Sequence, residues 1–151
     1  MARRHSWQRI GRLNGSDAGR MARKVYICRG CGFWHQDAKP KQCHICGRMD
    51  YDYFDSTGEA KRYATLELLQ RAGEISDLRR QVPLKLLTIG RNGLAVQWGT
   101  FIVDAAYVEN GEQVYEDFKP FNGMSPDSAL KLRCLEAQGI RVRLHTEKGT
   151  I

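Results

Sequence analysis

The sequence predicts an α/β protein, with a core in the order α-β-β-β-α-β around a mixed sheet and a small cysteine-rich module ahead of it. Three observations carry this prediction. Two Cys-x-x-Cys-Gly motifs lie close together in the N-terminal third, Asn110-Gly111 joins two β-rich runs, and Ser56 and Ser125 each open an apolar helical pattern. A chain of 151 residues has room for one ordinary domain plus a small module.

Residues 1–24 carry seven Arg/Lys, one Asp and several glycines without sustained periodicity, which reads as a basic flexible arm that orders on nucleic acid. Arg3 and Arg4 are its first candidate contacts. In residues 25–50, Cys28-Arg-Gly-Cys31-Gly and Cys43-His-Ile-Cys46-Gly form two knuckles. Four thiolates at this spacing satisfy tetrahedral Zn²⁺, so the segment resembles a zinc ribbon. The competing reading, disulfides, is disfavoured by the close pairing and by an intracellular chain. A complete four-cysteine set makes a structural metal site, leaving His35 and His44 surplus and exposed. Arg29, Lys39, Lys41 and Arg48 surround the knuckles with Phe33 and Trp34. The basic residues suit phosphate contact; the two aromatics suit either base stacking or the mini-core of a small module.

Residues 51–147 form the main domain and 148–151 a tail. Ser56-Thr-Gly-Glu59 opens a helix as a capping box. Its apolar side is Ala60, Tyr63, Ala64, Leu66, Leu68, Leu69 and Ala72, and Gly73 closes it. Leu78, Val82, Leu84 and Leu86 predict a strand, followed by a turn at Gly90-Arg-Asn-Gly93. A second strand runs from Leu94 through Trp98 and, past a break at Gly99, into the run bearing Asp104. Asn110-Gly111 then makes a two-residue hairpin, because a type I′ turn needs positive φ at both central residues. Ser125 caps the next helix with Pro126 at its first position. Leu130, Leu132, Cys134, Leu135 and Ala137 supply its apolar positions, Cys134 as core rather than ligand. After Gly139, the alternation of Ile140, Val142 and Leu144 with Arg141, Arg143 and His145 predicts a half-buried strand. The short link makes that strand a parallel neighbour.

The two-residue loop sets a register. Glu109 opposes Glu112, Val108 opposes Gln113, and continued pairing brings Asp104 opposite Asp117, with Lys119 on the same side. Like charges directly opposite destabilise a sheet unless a cation lies between them. The run around Asp104 is apolar on both sides, which predicts a buried central strand. Two carboxylates and a lysine there form a candidate divalent-metal and hydrolysis site. Glu116 points to the opposite side from Asp117.

The net charge of +7 is uneven: residues 1–48 hold 11 Lys/Arg against 2 Asp/Glu, and residues 49–151 hold 13 against 15. A basic N-terminal third beside a neutral domain points to a polyanion, with a solubilising tail as the alternative. No apolar run approaches the ~20 residues that span a bilayer, and no secretory signal is evident. The expectation is a soluble, cytoplasmic protein with no membrane partner.

The element order, the aspartate followed by Asp-x-Lys in the next strand, and the glutamate of the leading helix together resemble the PD-(D/E)xK nuclease superfamily. Phe54-Asp-Ser-Thr-Gly-Glu-Ala-Lys-Arg-Tyr63, Ala72-Gly-Glu-Ile-Ser-Asp-Leu78 and Val114-Tyr-Glu-Asp-Phe-Lys119 look closer still to a branch of small phage and prophage proteins. That branch is grouped with endonucleases of the Holliday-junction-resolvase type. The resemblance covers roughly residues 52–147 and implies a restriction-endonuclease-like αβββαβ core. It places Asp104 at the first motif, preceded by Val103 where the pattern has proline, and Asp117-Phe118-Lys119 at the second. Asp104 and Asp117 would hold catalytic Mg²⁺ or Mn²⁺, aided by the Phe118 carbonyl, and Lys119 would orient the attacking water. Glu59 would complete the acidic cluster, its other reading being a helix cap. Gln81 resembles a position near the site. Lys131 reads as a phosphate contact or as part of an exposed helix face. The implied function is metal-dependent cleavage of DNA, branched DNA by resemblance alone, and paired incision implies a homodimer. The alternative is a non-catalytic zinc-ribbon nucleic-acid adaptor.

Overall fold

The computed structural model describes residues 23–119, 124–146 and 149–150. The basic arm, including Arg3 and Arg4, lies outside the described residues apart from Arg23 and Lys24. The chain divides into two units, residues 1–60 and 61–151.

The first unit is a three-stranded antiparallel sheet of β1 (Val25–Cys28), β2 (Trp34–Gln36) and β3 (Tyr51–Phe54), in the order β2-β1-β3. Val25 pairs with both Gln36 and Phe54. Burying Val25 and Phe54 gives the unit its small apolar centre. Each cysteine motif turns in the same way. Gly32 N donates to Cys28 O at 2.8 Å, and Gly47 N donates to Cys43 O at 2.7 Å. The ribbon sheet extends beyond residue 50, because β3 pairs with β1 as far as Phe54.

Helix α1 (Thr57–Ala72) contains the division between the units. Its cap is the one the sequence predicts, shifted by one residue on the return arm: Glu59 N donates to Ser56 Oγ, while Glu59 Oε2 accepts from Asp55 N, both at 3.1 Å. Helix α1 ends where Glu74 N reaches Leu69 O at 3.0 Å.

The second unit is built on one mixed sheet. Its strands are β4 (Ile75–Ile89), β5 (Ala95–Glu109), β6 (Glu112–Lys119), β7 (Val142–Thr146) and β8 (Gly149–Thr150), in that spatial order. The pairs are antiparallel except β6 with β7, which is parallel as expected for two strands joined through helix α2 (Pro126–Ala137). Ser125 Oγ accepts from Ser128 N and caps α2. Part of the expected tail, Gly149–Thr150, extends the sheet by pairing with β7.

Two apolar clusters hold the helices to this sheet. Leu66 of α1 packs with Ile75, Ala105 and Tyr107, joined by Tyr63, Leu69 and Val114. Leu135 of α2 packs with Leu84, Leu86, Phe101 and Val103, with Cys134 at the margin of that cluster. Five expectations of burial fail: Leu68, Leu130 and Ile102 are more than half exposed, and Ala72 and Ala137 are exposed as well. Each helix covers the sheet with a narrow stripe, so its apolar residues off that stripe remain in solvent, while Ile102 lies on the side of β5 opposite Phe101 and Val103, which α2 covers. The expected break at Gly99 is a register shift instead, from Leu86↔Gly99 to Leu87↔Gln97, within an unbroken strand. Among the described residues, no helix is long and apolar enough to cross a membrane.

Candidate functional site

The β5–β6 ladder has the register that its Asn-Gly turn dictates, from Glu109↔Glu112 to Ala105↔Glu116. The next residues outward are Asp104 and Asp117. There the side chain takes over from the ladder: Asp104 Oδ2 accepts from Phe118 N at 2.7 Å, and Gln81 Nε2 donates to Oδ1 at 3.3 Å. Gln81 has φ 49°, a left-handed value that non-glycine residues adopt at a cost. On the β4 side, Arg80↔Ala105 and Val82↔Val103 bracket it. Asp104 is thus bonded to a strained residue of β4 and to the Asp117–Phe118 peptide of β6.

Asp117 is 4% exposed, and its Oδ2 lies 2.5 Å from Lys119 Nζ. That contact is an ion pair without hydrogen-bond alignment, since Oδ2 is buried and has no hydrogen-bond partner. A buried carboxylate oxygen in this condition retains a lone pair, which natural interiors seldom tolerate without a use. Oxygen donors of this kind suit a hard divalent cation. Lys119 also lies 5.8 Å from the centre of the Phe101 ring. The structure therefore brings together Asp117 and Lys119 and ties Asp104 to the peptide between them. Glu59 belongs to the unit of residues 1–60, where its backbone and carboxylate serve the start of α1.

Glu116, one residue away, is 2% exposed. Arg62 Nε and Nη2 donate to its two oxygens at 2.5 and 2.8 Å, and Tyr107 Oη donates at 2.8 Å. Arg143 continues the network to Tyr107 Oη and to Glu109. Burial raises the Glu116 pKa, but Arg62 and Tyr107 outweigh it and hold the carboxyl below its ordinary value. Burial, followed by the hydrogen bond to Glu116, pushes the Tyr107 phenol up to about 12. The sequence did not single out this network. Its signal was Glu116 falling in register with Ala105, on the side of the sheet that carries Tyr107.

In the first unit, the four cysteines are free thiols whose ligand atoms all lie within 4.8 Å of one another. Cys28 and Cys46 sulfurs are 3.5 Å apart, and Cys31 and Cys43 sulfurs 3.6 Å. Four sulfurs at ~2.3 Å from one tetrahedral ion would be separated by roughly 3.8 Å, so the cluster can hold a metal such as zinc. Gly30 N donates to Cys28 Sγ at 3.4 Å. At Cys43, burial favours the thiol, but the amides of Cys46 and Ile45 and the His35 side chain prevail and bring it down to about 5. His35, expected to be exposed, is half-buried against Phe33, His44 and Tyr51. Its ring completes the small aromatic packing that the sheet alone does not supply. Phe33 and Trp34 are half-buried, and His44 is exposed.

Of the candidate phosphate contacts, Lys39, Lys41 and Arg48 are exposed. Arg29 is committed to Asp52, with Nε and Nη2 at 3.0 and 2.8 Å from Oδ1. The Arg48 stem lies over Gly30, where an added Cβ would meet Arg48 Cδ at 2.5 Å. Lys131 pairs with Asp127 at 2.7 Å on the surface of α2.

Comparison with protein-family models, curated proteins and solved structures finds no match to this chain.

Proposed function

We propose that the chain is a metal-dependent DNA endonuclease with a PD-(D/E)xK-type site on a restriction-endonuclease-like core. The substrate is branched or otherwise structured DNA, and the cysteine cluster holds structural zinc. The observation that carries the reading is the buried Asp117 carboxylate. Its Oδ2 is ion-paired to Lys119 but has no aligned hydrogen bond, and it lies beside the peptide that Asp104 grips. Asp104 and Asp117 would hold Mg²⁺ or Mn²⁺, which supplies charge neutralisation and water activation when bound. Lys119 would orient the attacking water and stabilise charge developing on the phosphate oxygens. Basic residues at the ribbon, chiefly Lys39, Lys41 and Arg48, add sequence-independent phosphate contacts.

A second reading, the non-catalytic zinc-ribbon adaptor, draws on the hydrogen bonds of Asp104. They give it a structural duty that needs no metal. End-labelled four-way junction, flap, duplex and single-stranded DNA incubated with Mg²⁺, Mn²⁺ or EDTA separate the two. The nuclease cuts only with metal, and Asp117→Ala lowers the rate by at least about a hundredfold, the scale of losing a group that stabilises the transition state. Binding without metal-dependent cutting on every substrate would leave the adaptor.

A further inference from the structure

The β4–β5 hairpin runs past the core. Its last buried residues are Leu84, Leu86 and Phe101; beyond them Leu87, Thr88, Ile89 and every residue from Arg91 to Trp98 are exposed. The exposed stretch is nonetheless apolar. Ile89 is 71% exposed and Leu94 65%, and Leu87, Val96 and Trp98 each exceed a third. The register Leu87↔Gln97, Thr88↔Val96 and Ile89↔Ala95 puts Leu87 and Ile89 on one side of the ribbon and Val96 on the other. A solvated hairpin would be polar on at least one side, and a buried one would be covered. Trp98 is the extra residue at the register shift, where a bulge re-aims the chain. The tip is pre-formed: Gly90 N donates to Leu94 O at 2.8 Å, Gly93 N to Gly90 O at 2.9 Å, and Leu94 N to Asn92 Oδ1 at 3.2 Å.

Charge selects the occupant. From Leu78 to Val103 the hairpin carries Arg79, Arg80, Lys85 and Arg91 and no acidic residue; Arg79 is ion-paired with Asp77 at 3.3 Å, and Lys85 and Arg91 carry the charge toward the tip. The rest of this unit, residues 61–77 and 104–151, holds nine Lys/Arg against eleven Asp/Glu. Lys85 and Arg91 flank the apolar tip and are exposed. A second copy docking here would set cationic ribbon against cationic ribbon. Pairing through the edge of β4 is also obstructed, because Leu87 N already donates to Gln138 Oε1 at 3.2 Å. A polyanion with apolar faces to offer is the complementary partner, and DNA bases provide those faces wherever they are unstacked.

We propose that the distal β4–β5 hairpin is a DNA wedge, placing Ile89, Leu94, Val96 and Trp98 against unstacked bases while Lys85 and Arg91 contact the flanking phosphates. The wedge rests on the reading that this chain acts on DNA, and it names the feature recognised: a branch, bulge or unpaired step. Trp98 and Asp104 lie six residues apart on β5, roughly 20 Å at ~3.3 Å per residue, or about six base-pair steps at ~3.4 Å each. Incision is therefore displaced from the unstacked step by about that distance.

The test uses the zinc-loaded full-length protein, with Ca²⁺ replacing Mg²⁺, and fluorescence anisotropy on four-way junction, bulged duplex and plain duplex at one salt concentration. The variant carries Ile89→Ser, Val96→Ser and Trp98→Ala together; far-UV circular dichroism checks its fold, and Trp98→Phe serves as the conservative control. The expected result is wild-type preference for the junction and bulge by about tenfold or more, the scale of one or two stacked bases. The triple variant loses that preference with duplex affinity unchanged, and Trp98→Phe keeps it. A variant that retains the preference overturns the wedge while the DNA-acting reading stands. Wild type that binds none of the DNAs sinks that reading and the wedge with it. A wild-type dimer that the triple variant converts to a monomer, with DNA preference intact, assigns the surface to a second copy and overturns the proposal.

Discussion

Glu116 and Asp117 are adjacent in β6 and both buried, at 2% and 4% exposure, but they meet different surroundings. Glu116 receives a bidentate guanidinium and a phenol, so its charge is fully answered. Asp117 has one ammonium at close range and an oxygen without a hydrogen bond. The first is the profile of a structural ion pair; in the second, the oxygen that meets Lys119 lacks an aligned hydrogen bond, and on the proposed reading a cation would bind there. Breaking a buried pair from one side leaves the other charge uncompensated, so Glu116→Gln should destabilise the fold by about 3 kcal/mol in urea denaturation at pH 7. The loss should shrink in acid. The folded state holds the Glu116 carboxyl below its ordinary 4.5. Its contribution is therefore present above that value and fades as pH falls through the folded pKa. An equal deficit at pH 7 and at pH 3 would contradict this account. Strand alternation alone placed these two side chains on opposite sides. Arg62 and Arg143, 54 residues from Glu116 and 36 from Tyr107, come from other elements, and no local pattern announces them.

Local turn chemistry specifies the register of β5 and β6. Asn110 and Gly111 have φ of 52° and 81°, as a type I′ turn requires, and every pair up to Ala105↔Glu116 follows. An added Cβ at Gly111 would meet nothing within 4 Å, so Gly111→Ala acts through the backbone alone. It should cost about 1 kcal/mol, measured as a lowered denaturation midpoint with unchanged slope. A loss beyond about 3 kcal/mol would mean that the ladder depends on something other than this turn. The capped starts of α1 and α2 and the parallel placement of β7 were legible for the same reason: each is encoded within a few residues. The strained φ at Gln81 and the shift at Leu86/Leu87 were not. Both lie within the pairing of two fifteen-residue strands, and no local residue pattern records them. The wedge went unread in sequence for a related reason, since Leu87, Ile89 and Val96 look like any buried strand until their exposure is seen.

At the scale of the chain, the two units are stabilised by different means. Residues 61–151 contain both apolar clusters and the ionic network that links α1, β5, β6 and β7. The sheet of the first unit has Val25, Cys28 and Phe54 as its buried apolar residues, and Cys43 is buried in the second cysteine motif. Modules this small seldom fold on apolar burial alone and commonly need a metal or disulfides. Its cysteines are unpaired by disulfide and clustered, so on the proposed zinc reading the metal's binding energy is folding energy. Chelation should therefore act on one unit. In hydrogen exchange followed by mass spectrometry, a strong zinc chelator should strip protection from amides of Val25–Phe54 and leave Ala95–Glu109 and Glu112–Lys119 protected. Restoring Zn²⁺ should restore the difference, and Cys43→Ser should reproduce the chelated pattern without chelator. Uniform loss across both regions would mean that the units fold as one. No loss in either would mean that the cysteine cluster does not depend on a metal.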